Sequence, residues 1–551
     1  MTTFDATNAL AGKRIDRRTL GKWGAAAGLG IGMAPTWIAS AQDGIGGDIS
    51  IPRSGDVDTF DPHHTVAGLS FQAFRHIYEP LVSYNMDLEY EGILAESWEI
   101  SEDGLTYTFK LRQGVKFQDG TDFNAAAVKF TFDRVIDPVT AAPSAGWVSA
   151  LKETNVIDDY TVEMVLSENF APFLSNIAVE YFGIVSPTAV ETYGEDFGRN
   201  PVGTGAWQLK EWAAGERVTL EGYADYQNFH SYADNKGKPL ADSLNFLNMP
   251  ESETAMAAFE TGQVNIMGLD PNDVRQFEDQ TEHTVYKQTD VGSIAFVEFA
   301  TEPIPEGESG VVFKAPFDDI NLRQAVAYGI NADEIIATVL EGLAQRNYGP
   351  MPMGLFAYDP AIEEYGYHFD AEKAKSLLAE SGWEDSDGDG VVEKDGEKLE
   401  VVLWTWTDST LERVIQVIQY QLGQVGIGVK LEQQEAGALF ANLPDPTPYN
   451  LVFMIWGWSE PDILYMMTDT NWGVGNYRDA DYRGIVTEAR QTTDFDERKA
   501  LYFQAQQKML ADAAMVPLWT SESVSVVRKN VHGYKQGPGG SDVFTEIWVE
   551  D

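Results

Sequence analysis

Leu451–Trp458 (LVFMIWGW) is apolar on both faces, the pattern of a strand covered from either side in a sheet flanked by helices. Val401–Thr407 (VVLWTWT) has the same character and runs into a turn at Asp408-Ser409-Thr410. Alternation over Thr106–Leu111 (TYTFKL) predicts a half-buried strand, with turns at Glu102-Asp103-Gly104 before it and Gln118-Asp119-Gly120 after it. Asp48–Pro52 reads as a short opening strand. Phe71, Phe74 and Tyr78 recur at helical spacing and predict a helix over Phe71–Leu81; a second runs over Ala125–Arg134 with Asn124 as its N-cap. Two further β-rich runs, Val291–Phe299 and Val516–Val527, lie far apart in the chain. Strands and helices intermixed along the whole length make the fold class α/β.

At 551 residues the chain exceeds one ordinary core, so two or three lobes are expected. Hydrophobic residues at 44% supply enough apolar area to exclude a disordered chain. The 86 acids against 38 bases leave a net charge of −48, which repels phosphate backbones and anionic lipid and argues against nucleic-acid or membrane-surface partners. With no cysteine, disulfides, thiolate metal sites and thiol nucleophiles are excluded. Residues 1–41 read as an export signal. Lys13, Arg14, Arg17, Arg18 and Lys22 form a basic region, Ala25–Ile38 is mildly apolar, and Ala39-Ser40-Ala41 offers a cleavage pattern. The Arg17-Arg18 pair resembles a twin-arginine signal, which points to the periplasm.

The block Gly92–Arg134 (GILAESWEISEDGLTYTFKLRQGVKFQDGTDFNAAAVKFTFDR) resembles the signature of the oligopeptide/dipeptide (family 5) class of solute-binding proteins that serve ABC importers. Asn200–Trp212, Glu253–Val264, Phe317–Ile330, Phe369–Trp383, Ile415–Val429 and Glu497–Pro517 continue the resemblance in the same order. It implies a two-lobed clamp of the periplasmic-binding-protein kind with a small extra α+β domain, two crossover strands, and a ligand enclosed between the lobes. On that pattern residues 42–66, 186–291 and 519–551 form lobe I, 67–185 the extra domain, and 292–518 lobe II. It also implies a monomer without cofactor that binds a small molecule or peptide and docks on the transmembrane subunits of a permease.

Open α/β sheets bind ligands beyond the C-terminal ends of their strands. Trp404, Trp406, Trp456 and Trp458 lie toward two such ends, so they are candidate stacking surfaces or, equally, core. Glu460 and Asp462 follow directly. Peptide-binding members of the class carry a Trp-x-x-Asp here that holds the peptide ammonium. This chain has Trp458-Ser459-Glu460-Pro461-Asp462 instead, so either acid is a candidate substitute or a solvated loop residue, and oligosaccharide stands beside peptide as the ligand class. Asn476 and Tyr477 match a region that lines the cleft mouth in the class. Asp385, Asp387 and Asp389 with Gly390 resemble the first half of an EF-hand loop, a minor calcium alternative, but position 12 is Gly396 and Glu397 comes one step late. His63-His64 is the one histidine pair and lacks further ligands nearby in sequence. Nucleophile-elbow, zinc-protease and P-loop motifs are absent, and Gly203-Thr204-Gly205 is too short to cradle phosphate. The chain is therefore read as a binder and not an enzyme. A periplasmic hydrolase using cleft carboxylates is the rival.

Overall fold

The computed structural model describes residues 45–278, 280–289, 292–302, 310–457, 460–467 and 477–550. Asp48–Arg53 opens a four-stranded sheet, pairing parallel with Ser243–Asn248, which continues antiparallel into Arg217–Gly222 and Trp207–Ala213. A second, antiparallel sheet holds Ala95–Ile100, Thr106–Leu111, Thr161–Leu166 and Leu151–Asp158 in that order. Its alternating segment buries Tyr107, Phe109 and Leu111 on one face, as the period-two pattern requires. Against it packs the helix Ala125–Ile136, whose first turn is closed by the Asn124 side chain accepting from the Ala127 N–H at 3.1 Å.

The predicted helix over Phe71–Leu81 is shorter in the structure, Gly68–Phe74. Beyond it the carbonyls of His76 and Ile77 accept hydrogen bonds from Trp207 N (3.0 Å) and Gly205 N (2.8 Å), so a distant segment takes the acceptors a helix would have used. This close approach explains Gly203-Thr204-Gly205. A Cβ on Gly203 would sit 2.1 Å from the Ile77 carbonyl oxygen, and one on Gly205 2.7 Å from it.

Leu451–Gly457 lies inside the largest sheet, antiparallel to Ser293–Phe299 and parallel to Glu400–Trp406, which pairs in turn with Gly428–Gln434. Leu451, Val452, Phe453 and Met454 are all buried, which accounts for the run that is apolar on both faces. The strand Met515–Arg528 is 14 residues long and belongs to both halves of the molecule. Its first part pairs with Ser293–Phe299 (Glu298↔Met515, Ala295↔Trp519), and its second part with His283–Thr289 (Thr289↔Glu522, His283↔Arg528).

The cores divide at the same place. One runs from Ile294 to Trp519, and the other gathers Ile49 to Ile266 with Val527 to Ile547. The segment expected as a separate extra domain shares this second core, through residues such as Phe109, Phe132 and Phe182. Two strand passages thus join two separately packed lobes, the geometry of a hinge. Among the described residues no helix is long and apolar enough to cross a membrane.

Glu298 sits in the middle of this sheet, buried, with its Oε2 unpartnered among the described residues. Burial pushes its carboxyl up to about 8. Below the unfolded value near 4.5 the group is neutral in both states, and its neutral form is compatible with the core. As pH rises toward about 8, the unfolded chain gives up the proton and the folded chain keeps it. Over that window this one group lowers stability by about 1.4 kcal/mol per pH unit. Glu298→Gln is expected to unfold at higher urea than wild type at pH 8 and at nearly the same urea at pH 4.5; an equal gain at both pH values would refute this account.

Candidate functional site

Between the two cores lies a cavity of about 1110 Å³, slightly larger than most small-molecule sites. The first lobe contributes Glu79, Tyr84, Tyr90, Trp147, Ser175 and the C-terminal stretch 538–545 to its wall, while the second contributes Gly354–Phe356, Gly457, Glu460 and Phe495. Rings line both sides. Tyr84 and Tyr90 face one another at 5.1 Å on a two-stranded hairpin, Trp147 stands edge-on to Tyr181 at 5.3 Å, and Phe356 lies 4.7 Å from Phe495.

Glu460 and Asp462 are not solvated loop acids: their relative exposures are 2% and 5%. Each is met by an arginine from the helix pair that follows. Arg490, in the last turn of the helix Ala480–Gln491, grips Asp462 through Nη2 (2.6 Å) and Nε (3.1 Å). Arg498, in the first turn of the helix Phe495–Ala511, pairs with Glu460 and donates to the Tyr502 hydroxyl at 3.2 Å. The Asp494 N-cap, accepting from Glu497 N at 2.9 Å, starts that second helix three residues after the first ends. Burial pushes Asp462 up to about 6 against the opposing pull of Arg490. Burial would depress Arg498, and the Glu460 charge beside it raises it instead. The remaining oxygen of Glu460 accepts from Ser175 Oγ of the first lobe at 2.7 Å. Nearby, Ala171 N donates to the Arg490 carbonyl at 2.8 Å, so the lobes touch through hydrogen bonds as well as through the strands.

Of the predicted site residues, Glu460 lines the cavity; Trp404, Trp406, Trp456, Asp462 and Tyr477 do not. Trp404 is core: it stacks on Tyr449 at 4.6 Å and its indole N–H donates to Glu432 at 3.0 Å. Trp406 is half-buried against the core that runs from Ile294 to Trp519, and Trp456 meets Phe296 edge-on at 5.6 Å, although the adjacent Gly457 reaches the cavity. Tyr477 is buried against Tyr482 and hydrogen-bonds Asp512. Trp458 and Asn476 lie outside the described residues.

Oxygens of Asp385, Asp387, Asp389 and Glu393 lie within 4.8 Å of one another, but Lys398 Nζ is among them, 3.2 Å from Asp387 and bonded to Asp389. Asp385 itself accepts from Gly388 N (2.7 Å) and Gly390 N (3.0 Å), and Glu397 lies in a short hairpin strand. Lys398 offsets part of the negative charge of this turn. His63 is likewise committed: it is fully buried with Nδ1 2.6 Å from Arg134, which pairs with Asp61, and burial pushes it down to about 3.

The first-lobe wall escaped sequence reading because its members are spread from Phe71 to Thr545 and share no period. One signal was available: tyrosines flanking the short Asn85–Glu89 turn place two rings side by side on a hairpin.

Residues 89–476 match the family model for bacterial extracellular solute-binding proteins, family 5, middle region. The chain belongs to this family. A glutathione-binding protein, GsiB, of Pectobacterium atrosepticum is 29% identical over 527 residues, covering 93% of this chain and 95% of the relative. Among solved structures, NikA of Brucella suis in complex with Fe(III)-EDTA superposes with a TM-score of 0.80 at 25% identity, covering 91% of this chain and 100% of that one. The ABC transporter-associated periplasmic binding protein DppA of Helicobacter pylori, in complex with the peptide STSA, gives 0.72 at 26%, with coverages of 93% and 99%. This family 5 protein is thus a substrate-binding component of an ABC importer with two-lobed α/β architecture.

Because Arg498 pairs directly with the buried Glu460, Arg498→Met takes away the cation that compensates that charge. The expected loss is about 3–5 kcal/mol in urea denaturation. Adding Glu460→Gln should restore part of it. A single variant within about 0.5 kcal/mol of wild type would show that the pair is not a structural requirement.

Proposed function

We propose that this protein captures a peptide or an organic solute of similar size by closing its lobes over the cavity, and delivers it to the permease. The observation that carries this is the cavity itself, one space of about 1110 Å³ walled by residues from both separately packed cores. Closure removes water from the ligand and strengthens each polar contact inside. The glutathione-binding and peptide-bound relatives support a peptide-sized ligand. The protein acts in the periplasm as a monomer, reached by a twin-arginine signal over residues 1–41, and returns its ligand chemically unchanged. Aromatic rings on both walls supply most of the contact area, and the polar groups between them set orientation.

Mass spectrometry of the solute that co-purifies with the exported protein identifies the ligand. Small-angle scattering with and without that solute is expected to show compaction on binding. Tyr84→Ala and Trp147→Ala should each weaken affinity by about tenfold or more, while Trp404→Ala should lower stability and leave affinity nearly unchanged. Steady conversion of the solute by the purified protein, or no compaction with any member of a broad peptide and sugar library, would defeat this reading.

A further inference from the structure

The charges around the cavity do not cancel. Three carboxylates are answered by bases: Glu460 by Arg498, Glu180 by Arg75 at 4.0 Å, and Glu91 by His230 at 3.2 Å. Arg75 is the one lysine or arginine in the wall among the described residues, and its single charge is shared between Glu180 and, more weakly, Asp542. His76, also in the wall, is half-buried between Phe246 and Phe544 and held neutral, since desolvation pushes it well below its ordinary value.

Two wall carboxyls remain with neutral donors only. Glu79 accepts from Thr204 Oγ1 at 2.8 Å and from the Tyr226 hydroxyl at 3.1 Å, and its relative exposure is 5%. Asp542 accepts from the Tyr534 hydroxyl at 2.6 Å. Burial pushes Glu79 up to about 7 and raises the half-buried Asp542 as well, against the pull of Tyr534 and of the more distant Arg75. At the mouth Asp87 and Glu89 add acids that no described base pairs with.

General acidity of the chain does not account for this. Surface acids stay hydrated at little cost, whereas a buried carboxyl without a cation carries a desolvation penalty that an arriving cation removes. The rings beside them are the other half of a cation site, because the face of a tyrosine or tryptophan attracts ammonium and guanidinium groups.

We propose that the cavity selects solutes of net positive charge, with an ammonium or guanidinium group drawn to the side bearing Glu79 and Asp542 and the rest packed between the aromatic walls. This rests on the binding-protein reading above and narrows its ligand class. A solute with excess carboxylate would meet uncompensated negative charge on entry.

Calorimetric titration of the full exported chain with tri-lysine, tri-alanine, tri-glutamate, agmatine and glutathione tests it. The expected order places tri-lysine about 100-fold tighter than tri-alanine, with agmatine bound and with tri-glutamate and glutathione giving no heat. Glu79→Gln and Asp542→Asn, each checked by thermal melt, should cut the tri-lysine preference about tenfold. If Glu79→Gln does not fold, Asp542→Asn carries the test alone. A preference for tri-glutamate or glutathione, or an unchanged preference in the folded variants, overturns the charge assignment and leaves the binding-protein reading standing. No heat and no compaction with any solute overturns both.

Discussion

The strand Met515–Arg528 is the constraint on which the molecule is built, because its hydrogen bonds are divided between two cores. Trp519 packs in one and Val527 in the other, so the intervening residues cannot be removed from either sheet without disturbing both. His283–Thr289 and Ser293–Phe299 run against its two halves and make the second passage. A single passage would leave the lobes free to twist. Two adjacent passages hydrogen-bonded to each other permit bending across the sheet and little else. A register irregularity between Ala295 and Phe296 lies within the first of these pairings, opposite Pro517 and Trp519.

The two lobes use their carboxylates differently, and the difference follows from where the partners come from. In the second lobe, Glu460 and Asp462 leave the end of a buried strand and meet two arginines set on neighbouring helices. Those ion pairs fix the floor of the cavity and leave Glu460 one free acceptor position, which Ser175 of the other lobe fills. In the first lobe, Glu79 and Asp542 rest on hydroxyls alone. Hydroxyls satisfy geometry without supplying charge, so the first lobe carries the chemical preference and the second a rigid surface to close upon.

Much of the fold was legible in the sequence, because burial leaves a periodic mark. The run over Leu451–Met454 and the alternation at Tyr107, Phe109 and Leu111 each translate directly into observed faces. The helix after Gly68 was misjudged in length, since its C-terminal limit is set by Gly205 and Trp207, about 130 residues away, and no local signal encodes that. The site was less legible. Strand-end reasoning points to the end of Leu451–Gly457, and Gly457 and Glu460 there reach the cavity wall. It does not say which way an indole points, and Trp404 and Trp456 turn to Tyr449 and Phe296. Nor does spacing reveal that Glu460 finds its arginine 38 positions later.

What holds the lobes together away from the strands is modest, and the function requires that it be so. Ser175 to Glu460 and Ala171 to Arg490 are single hydrogen bonds, with the Phe170 ring 5.1 Å from the Arg490 guanidinium, while elsewhere Arg275 pairs with Glu341, Arg413 donates to Asn272 and Val274 packs on Leu343. Contacts of this kind contribute about 1–3 kcal/mol each at most, and water replaces much of that when they part. A large apolar interface would shut the molecule permanently. These few contacts keep open and closed forms close in free energy, so the ligand's own contacts decide the balance and its departure reverses it.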